Sequence, residues 1–282
     1  MTAAVVESET VPKLGESAGP LPRFDAAHKP VGDGSDYIAA LQFLKSTFHG
    51  GDEGNAVVNA ILANIPRGPL KLLDIGCGDG SFVRRTATEL RRLGRFSDLT
   101  AIDPLAAAVR ATQLKIPNAR LLQLRFEEYV SEEPFDVINV RHSIYYVEDV
   151  GRQLRRMHHK LSPGGIVVFT LWTRECDLFR AYDATRRDGE DPSVKVAAED
   201  LLDLLTKSGL FATVESRTFP GDIRLDRWTS SNEALEQVYL VLCRTIRTRP
   251  TRAELDRFRS RLQSRPLTGR RVGAVITCAK LQ

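Results

Sequence analysis

Three glycines, Gly76, Gly78 and Gly80, stand at alternate positions directly behind the apolar run LLDI. Such a turn does one of two things. It cradles the phosphates of a dinucleotide, or it makes room for a nucleoside that carries none. A dinucleotide fingerprint, Gly-x-Gly-x-x-Gly, needs its third glycine where this chain has Ser81. Asp79 lies inside the loop, where a carboxylate repels a pyrophosphate and suits a ligand with a cationic centre. Asp103 ends the next β-like run, LTAID, and an acid at that point accepts hydrogen bonds from both hydroxyls of a ribose.

A nucleoside with an amino-acid tail and a positive centre meets these demands, and S-adenosylmethionine is such a molecule. The chemistry it supports needs little acid or base, because a sulfonium is already a good leaving group and most of the work is positioning. A base helps where the acceptor begins as N–H, O–H or an aromatic carbon. His142 directly follows the run FDVINVR and titrates near neutrality, so it can take that proton. A packed, hydrogen-bonded histidine is the competing reading. Tyr145 and Tyr146 follow, one expected to face a pocket and the other to be buried. Trp172, Phe179 and Tyr239 are pocket or core residues. His158 and His159 sit mid-helix and read as surface. Asp74 reads as structural.

These residues need a scaffold, and the pattern supplies one. Helical spacing runs from Asp36 (DYIAALQFLKSTF) and over AVVNAILANI, which Pro66 and Gly68 close. KLLDIG, LTAID, ARLLQL, FDVINV and IVVFTLW then read as strands. SFVRRTATELRRL, LAAAVRATQL and VGRQLRRMHHKL alternate with them as helices, the last stopped by SPGG. Short β-branched runs alternating with helices predict a parallel sheet covered on both faces. After Trp172 the texture changes. AAEDLLDLLTKSGLF is a helix and ATVESRTF a strand. A helical excursion follows (SNEALEQVYLVLCRTI, TRAELDRFRSRLQ), and RVGAVITCA closes the chain as a returning strand. Residues 1 to about 33, rich in proline and glycine, read as a loosely attached arm.

The whole is 282 residues with a formal charge of +4, enough for one large α/β domain and small for a dedicated nucleic-acid binder. Cys77, Cys176, Cys243 and Cys278 are scattered without a C-x-x-C pair, so no zinc site or disulfide framework is expected, in keeping with a reducing cytoplasm. No apolar run approaches the roughly 18 residues of a membrane span, and the N-terminus lacks the marks of a secretory signal.

LLDIGCGDGSF with AIDP resembles the class I methyltransferase fold over about Lys71 to Trp172. That resemblance implies a Rossmann-like, seven-stranded, mostly parallel sheet with an antiparallel last strand and S-adenosylmethionine as cofactor. It further implies that Gly76, Cys77, Gly78 and Asp79 pass under the cofactor and that Asp103 with Pro104 holds the ribose. Phe126 and Glu127 would flank the adenine, and Arg141 would lend backbone. FLKSTFH, SIYYVEDV, AAEDLLDLLTKSGL and RAEL, in that order, are similar to the histamine N-methyltransferase branch. By that resemblance His49 meets the methionine end, and Tyr145 and Tyr146 wall the substrate pocket with Tyr37.

The departures shape the expected substrate. Phe48 stands where that branch has a glutamate for an imidazole, and His142 where it has a glutamine. Arginines of GRRVGA stand where it anchors an amine with asparagine. The pocket is therefore expected to be more apolar and to take a larger aromatic or heteroaromatic ring, methylated at nitrogen or carbon, as in indole-alkaloid or cyclodipeptide tailoring. His142 and Tyr146 are the expected catalytic residues. Residues 34–221 and 270–282 form the expected core, with residues 222–269 as a helical lid. The chain is expected to be a monomer or homodimer with no membrane or metal. A rival reading uses the ten arginines of Cys243–Arg271 to grip RNA; aromatic residues for base stacking are sparse there. The same motifs also suit O-methylation of a natural product, or a non-catalytic scaffold that binds the cofactor without turning it over.

Overall fold

The computed structural model describes residues 33–65, 68–147, 149–185, 196–242, 249–265 and 267–281. The expected arm thus lies outside the described residues except for Asp33, whose carboxylate pairs with Arg110. Cys243 and its neighbours to residue 248, within the expected lid, also lie outside them.

The sheet begins with β1 (Phe48–His49), which follows helix α1 (Ser35–Ser46) and precedes α2 (Glu53–Asn64). Then come β2 (Leu70–Ile75), α3 (Ser81–Arg92), β3 (Phe96–Ile102), α4 (Ala106–Lys115) and β4 (Arg120–Leu122). They are followed by β5 (Phe135–Arg141), α5 (Val150–Lys160), β6 (Leu161–Trp172), α6 (Asp177–Thr185) and α7 (Ala198–Ser208). The chain closes with β7 (Thr213–Ile223), α8 (Leu225–Trp228), α9 (Asn232–Leu242), α10 (Arg252–Gln263) and β8 (Arg270–Ala279). The strands lie in the order β1-β7-β8-β6-β5-β2-β3-β4. β2 pairs in parallel with β3 and β5, β3 with β4, and β5 with β6, while β8 runs antiparallel to β6 and β7.

The seven expected strands are all present, and the sheet is eight-stranded because Phe48 and His49 add a short antiparallel edge opposite Ile223 and Asp222. Two residues carry no readable alternation, so this strand is invisible to periodicity. SPGG does not merely stop α5. It lies within β6, which starts at Leu161. Gly165 is needed there: a Cβ would sit 3.0 Å from Ser162 O and 3.1 Å from Asp136 O. The sequence pattern marks no helix where α6 lies.

The period-two pattern of the strands sorts their side chains onto two faces. Leu73, Ile75, Ile138, Val140, Val167, Phe169 and Ile276 pack with α5 and α7 in one core. Leu72, Val137, Val168 and Val275 pack with α2 and α3 in another. Strands covered on both faces read as near-continuous apolar runs, which is why the sequence shows them clearly.

A third apolar cluster joins α1, α6, α8, α9 and α10 beyond the end of the sheet. Trp228 is its largest buried side chain, and its Nε1 donates to Thr47 Oγ1 at 3.1 Å. α10 is started by a capping box between Thr251 and Glu254. The helices between β7 and β8 are thus tied to α1. Among the described residues no helix is long and apolar enough to cross a membrane.

Candidate active site

The glycine loop leaves β2 and is clamped to β3. Gly76 N and Cys77 N donate to Ile102 O at 2.8 and 3.2 Å, and Gly78 N donates to Asp103 Oδ2 at 2.9 Å. Gly76 has φ +80°, and a Cβ on it would lie 2.5 Å from Ser143 Cβ. Gly80 has φ +72°, and its Cβ would meet Thr112 Cα at 2.7 Å. Both positions therefore exclude a side chain.

Asp103 Oδ1 accepts from Leu105 N at 2.9 Å, so its carboxylate has two backbone donors. Burial pushes its pKa up to about 6 against those two bonds. It forms no ion pair with any described residue, so the carboxylate retains lone pairs suited to neutral hydroxyl donors. Asp74 is buried beside it and accepts from Asn139 Nδ2 at 2.5 Å; burial pushes it up to about 6 as well. A loop with glycine at Gly76, Gly78 and Gly80 and a buried acceptor at the next strand end fit the sugar and tail of a nucleoside cofactor.

Asp79 is placed differently from the sequence argument. It is 3% exposed, and its carboxylate takes Lys45 Nζ at 2.6 Å and Ser81 N and Oγ at 3.2 and 2.9 Å. Lys115 Nζ lies 3.6 Å away and donates to Asp79 O. Burial raises the Asp79 pKa, but Lys45 outweighs it and holds the carboxyl at about 2. Its charge is taken up by lysines within the protein, not held open for a cationic ligand. Sequence reasoning missed Lys45, which lies on α1 and meets the loop only in three dimensions.

Beyond β5 the chain turns sharply. His142 has φ +50°, the one non-glycine residue with positive φ among those described. Histidine tolerates this left-handed region better than branched residues do, yet it is strained there, and such strain concentrates at functional sites. His142 N donates to Thr170 O at 2.9 Å, and the ring stacks on Trp172 with centroids 4.2 Å apart. His142 Nε2 lies 3.2 Å from Glu53 Oε1, and Nδ1 lies 3.5 Å from Tyr145 OH, which accepts from Trp172 N at 3.2 Å.

Glu53, at the start of α2, is a buried acid that sequence reasoning missed. The same Oε1 accepts from Arg141 Nε. Burial raises its pKa, but the Arg141 guanidinium and His142 outweigh it and hold the carboxyl well below the usual carboxylate range. An ionised Glu53 accepts the Nε2 proton, which leaves the lone pair of neutral His142 on Nδ1. Burial pushes the His142 pKa down, against Glu53. No spacing rule connects a glutamate in α2 to a histidine behind β5, so only the fold reveals the pair.

The sheet end brings together Phe48, His142, Tyr145 and Trp172, with Phe48 edge-on to Trp172 at 5.8 Å. Arg141 does more than lend backbone: its guanidinium pairs with Glu53 and lies over Phe82, 4.2 Å from the ring centroid. Tyr145 is buried and Tyr146 is exposed, with its hydroxyl 3.1 Å from Tyr37 OH. Phe126 is buried under Arg156, and Glu127 O accepts from Arg156 Nη1 at 2.6 Å. His49 and Pro104 are exposed. Phe179 is half-buried in the helical cluster. Tyr239 belongs to the apolar cluster that also takes in Phe48 and Trp172. It is buried edge-on to Phe258 at 5.3 Å, in the core of the helical layer, because α9 turns that face toward α10. Among the described residues no group of three or more His, Cys, Asp or Glu side chains is gathered for a metal.

The chain is similar to known methyltransferases in sequence and fold. The family model described as a methyltransferase domain matches residues 53–236. An uncharacterized methyltransferase of Mycobacterium tuberculosis is 31% identical over 109 residues, covering 38% of this chain and 52% of that protein. A mitochondrial arginine-hydroxylase of Homo sapiens is 28% identical over 156 residues, covering 52% of this chain and 43% of that protein. The chain thus spans about half the length of the curated relatives it matches. Among solved structures, the plantazolicin methyltransferase in complex with SAH shares the fold at a TM-score of 0.50 and 15% identity, covering 88% of this chain and 86% of that one.

Proposed function

The chain belongs to the methyltransferase domain family, and from that membership we propose that it transfers the methyl group of S-adenosylmethionine to a small aromatic or N-heteroaromatic acceptor. The cofactor supplies an electrophilic methyl carried on a sulfonium. The loop from Gly76 to Gly78 passes beneath it and Asp103 accepts from its ribose hydroxyls. Phe126 and Glu127 would border the adenine, whereas His49, on the edge strand β1 with four strands between it and β2, is left out of this arrangement. The observation that carries the acceptor class is the stack of His142 on Trp172, 4.2 Å between centroids, flanked by Phe48. Flat rings at the ends of β5 and β6 offer faces and edges to another flat ring.

His142 takes up the proton released at the acceptor on Nδ1, by way of the Tyr145 hydroxyl that faces it and passes its own proton on, because Glu53 engages Nε2. Tyr146 and Tyr37 meet at their hydroxyls and form part of the wall. The helices over residues 222–269 close the site and exclude water, as a small substrate requires. Within the family we place the chain nearest a histamine N-methyltransferase-like arrangement. Supporting this is the Phe48–His49 strand beside β7, with the tyrosine pair on the turn behind β5.

Calorimetry with S-adenosylhomocysteine and transfer of labelled methyl to indoles, imidazoles and mixed RNA test this reading. Binding with label in a small aromatic product is the expected result. No binding, or label found in RNA, would overturn it.

A further inference from the structure

Not every charge around the site is paired: Asp74, Asp103 and Arg271 form no ion pair with a described residue. Glu53 is engaged by Arg141, and Asp79 by Lys45 and Lys115. Arg271, at the start of β8, is 4% exposed and forms no ion pair with any described residue. Its Nη2 donates to Gly50 O and Gly51 O at 2.9 and 2.7 Å, while Nε is buried with no hydrogen-bond partner. The guanidinium lies 4.8 Å from the centroid of Phe48 and 5.8 Å from that of Trp172. A buried cation without a counter-ion is costly, and so is a buried donor left unmade.

Resting on the methyl-transfer reading, we propose that Arg271 receives a carboxylate carried by the acceptor, so that the substrate class is an aromatic acid. The ring would lie among Phe48, Trp172 and His142, and the carboxylate would reach the guanidinium beside the first two. Strand order separates this anchor from the nucleoside. Arg271 is on β8, and β6 and β5 stand between it and the glycine loop behind β2. The anchor is also held rigidly. Asp177 Oδ2 accepts from Thr268 N, Gly269 N and Arg270 N at 2.7, 2.7 and 3.0 Å, which pins the turn into β8. Burial pushes the Arg271 pKa down, against the nearby Glu53 carboxylate. Clamping the Gly50–Gly51 carbonyls occupies Nη2 and leaves Nε without a hydrogen bond.

The test compares acids with their amides on protein saturated with S-adenosylhomocysteine. Phenylacetate and indole-3-acetate, against phenylacetamide and indole-3-acetamide, are titrated by calorimetry. At least one acid is expected to bind about ten- to a hundredfold more tightly than its amide, the effect of a charge-assisted hydrogen bond in a buried site. Arg271→Gln should abolish that preference and leave the affinity for S-adenosylhomocysteine unchanged; Arg271→Lys should keep part of it. Acids and amides binding alike to the native protein would overturn the proposal without recourse to any variant. So would a preference that survives in Arg271→Gln, or a loss of S-adenosylhomocysteine affinity there, which would assign the carboxylate to the cofactor. Failure of S-adenosylhomocysteine to bind the native protein sinks the methyl-transfer reading together with this one. Binding without acid preference sinks this one alone.

Discussion

Glu53 and His142 meet at 3.2 Å, carboxylate Oε1 to imidazole Nε2, although 89 positions separate them in the chain. The contact sets the imidazole tautomer and turns its lone pair toward Tyr145. The same carboxylate neutralises Arg141, so one buried acid organises two neighbours of the candidate acceptor site.

Glu53→Gln keeps the shape and an oxygen for His142 but leaves Arg141 without its counter-ion. A loss of about 1–3 kcal/mol at pH 7 is expected, the cost of an uncompensated, largely buried charged group. The folded pKa of Glu53 lies below its unfolded value of about 4.3. Its contribution is therefore present above that value and lost as the pH falls through the folded pKa. Urea denaturation at pH 7 and at pH 3 should show the difference between native and variant shrinking in acid. A constant difference would mean the effect is not electrostatic.

Asp74 behaves in the opposite sense. Its folded pKa is about 6, above an unfolded value of about 3.9, so the folded protein takes up this proton first. That stability is complete below about 4 and is lost as the pH rises through about 6. Asp74→Asn retains an oxygen for Asn139 and removes a buried charge. It should be at least as stable as the native chain at pH 7, keep part of this advantage at pH 5 and lose it by about pH 4. A variant less stable at pH 7 than at pH 5, relative to native, would show that the ionised form is the one the fold needs.

If Asp103 holds the ribose, its ionised form is the stronger acceptor, and burial pushes its pKa up to about 6. Affinity for S-adenosylhomocysteine should therefore fall by up to about tenfold per unit as the pH drops below that value. Asp103→Ala should weaken binding at pH 7.5 by roughly 1.5–3 kcal/mol, as for a charge-assisted hydrogen bond, and flatten the profile. Unchanged affinity in calorimetry would remove Asp103 from the cofactor site.

His142 carries a backbone prediction and a chemical one. At φ +50° alanine is strained and glycine is not, so His142→Gly should be more stable than His142→Ala by about 1 kcal/mol, the reverse of the usual order. If the imidazole takes the acceptor proton, both variants should slow the single-turnover step by roughly 10²–10⁴-fold. The native rate should fall as the pH drops through a pKa below the ordinary 6.5, where Nδ1 becomes protonated, and the variants should lack that limb. Rates within about threefold of native, with the native profile, would leave positioning alone to carry the reaction.

The sheet was legible because its physics is local. Leu72, Val137 and Val168 on one face, with Leu73, Ile138 and Val167 on the other, alternate along strands that are apolar on both sides, and such runs have no other stable use. Gly76 and Gly80 were legible because a left-handed turn pressed against neighbours excludes every other residue. Asp103 was legible because it ends a strand next to that turn. The remainder depends on distance in space. Lys45 claims Asp79, Glu53 orients His142, Asp177 pins the turn before Arg271, and Tyr239 packs edge-on to Phe258. None of these pairings has a period or a fixed spacing in the chain. Whether a charge is a ligand or a partner is set by which side chain folding brings within hydrogen-bond reach and how much water it leaves there, and both are properties of the packed tertiary structure.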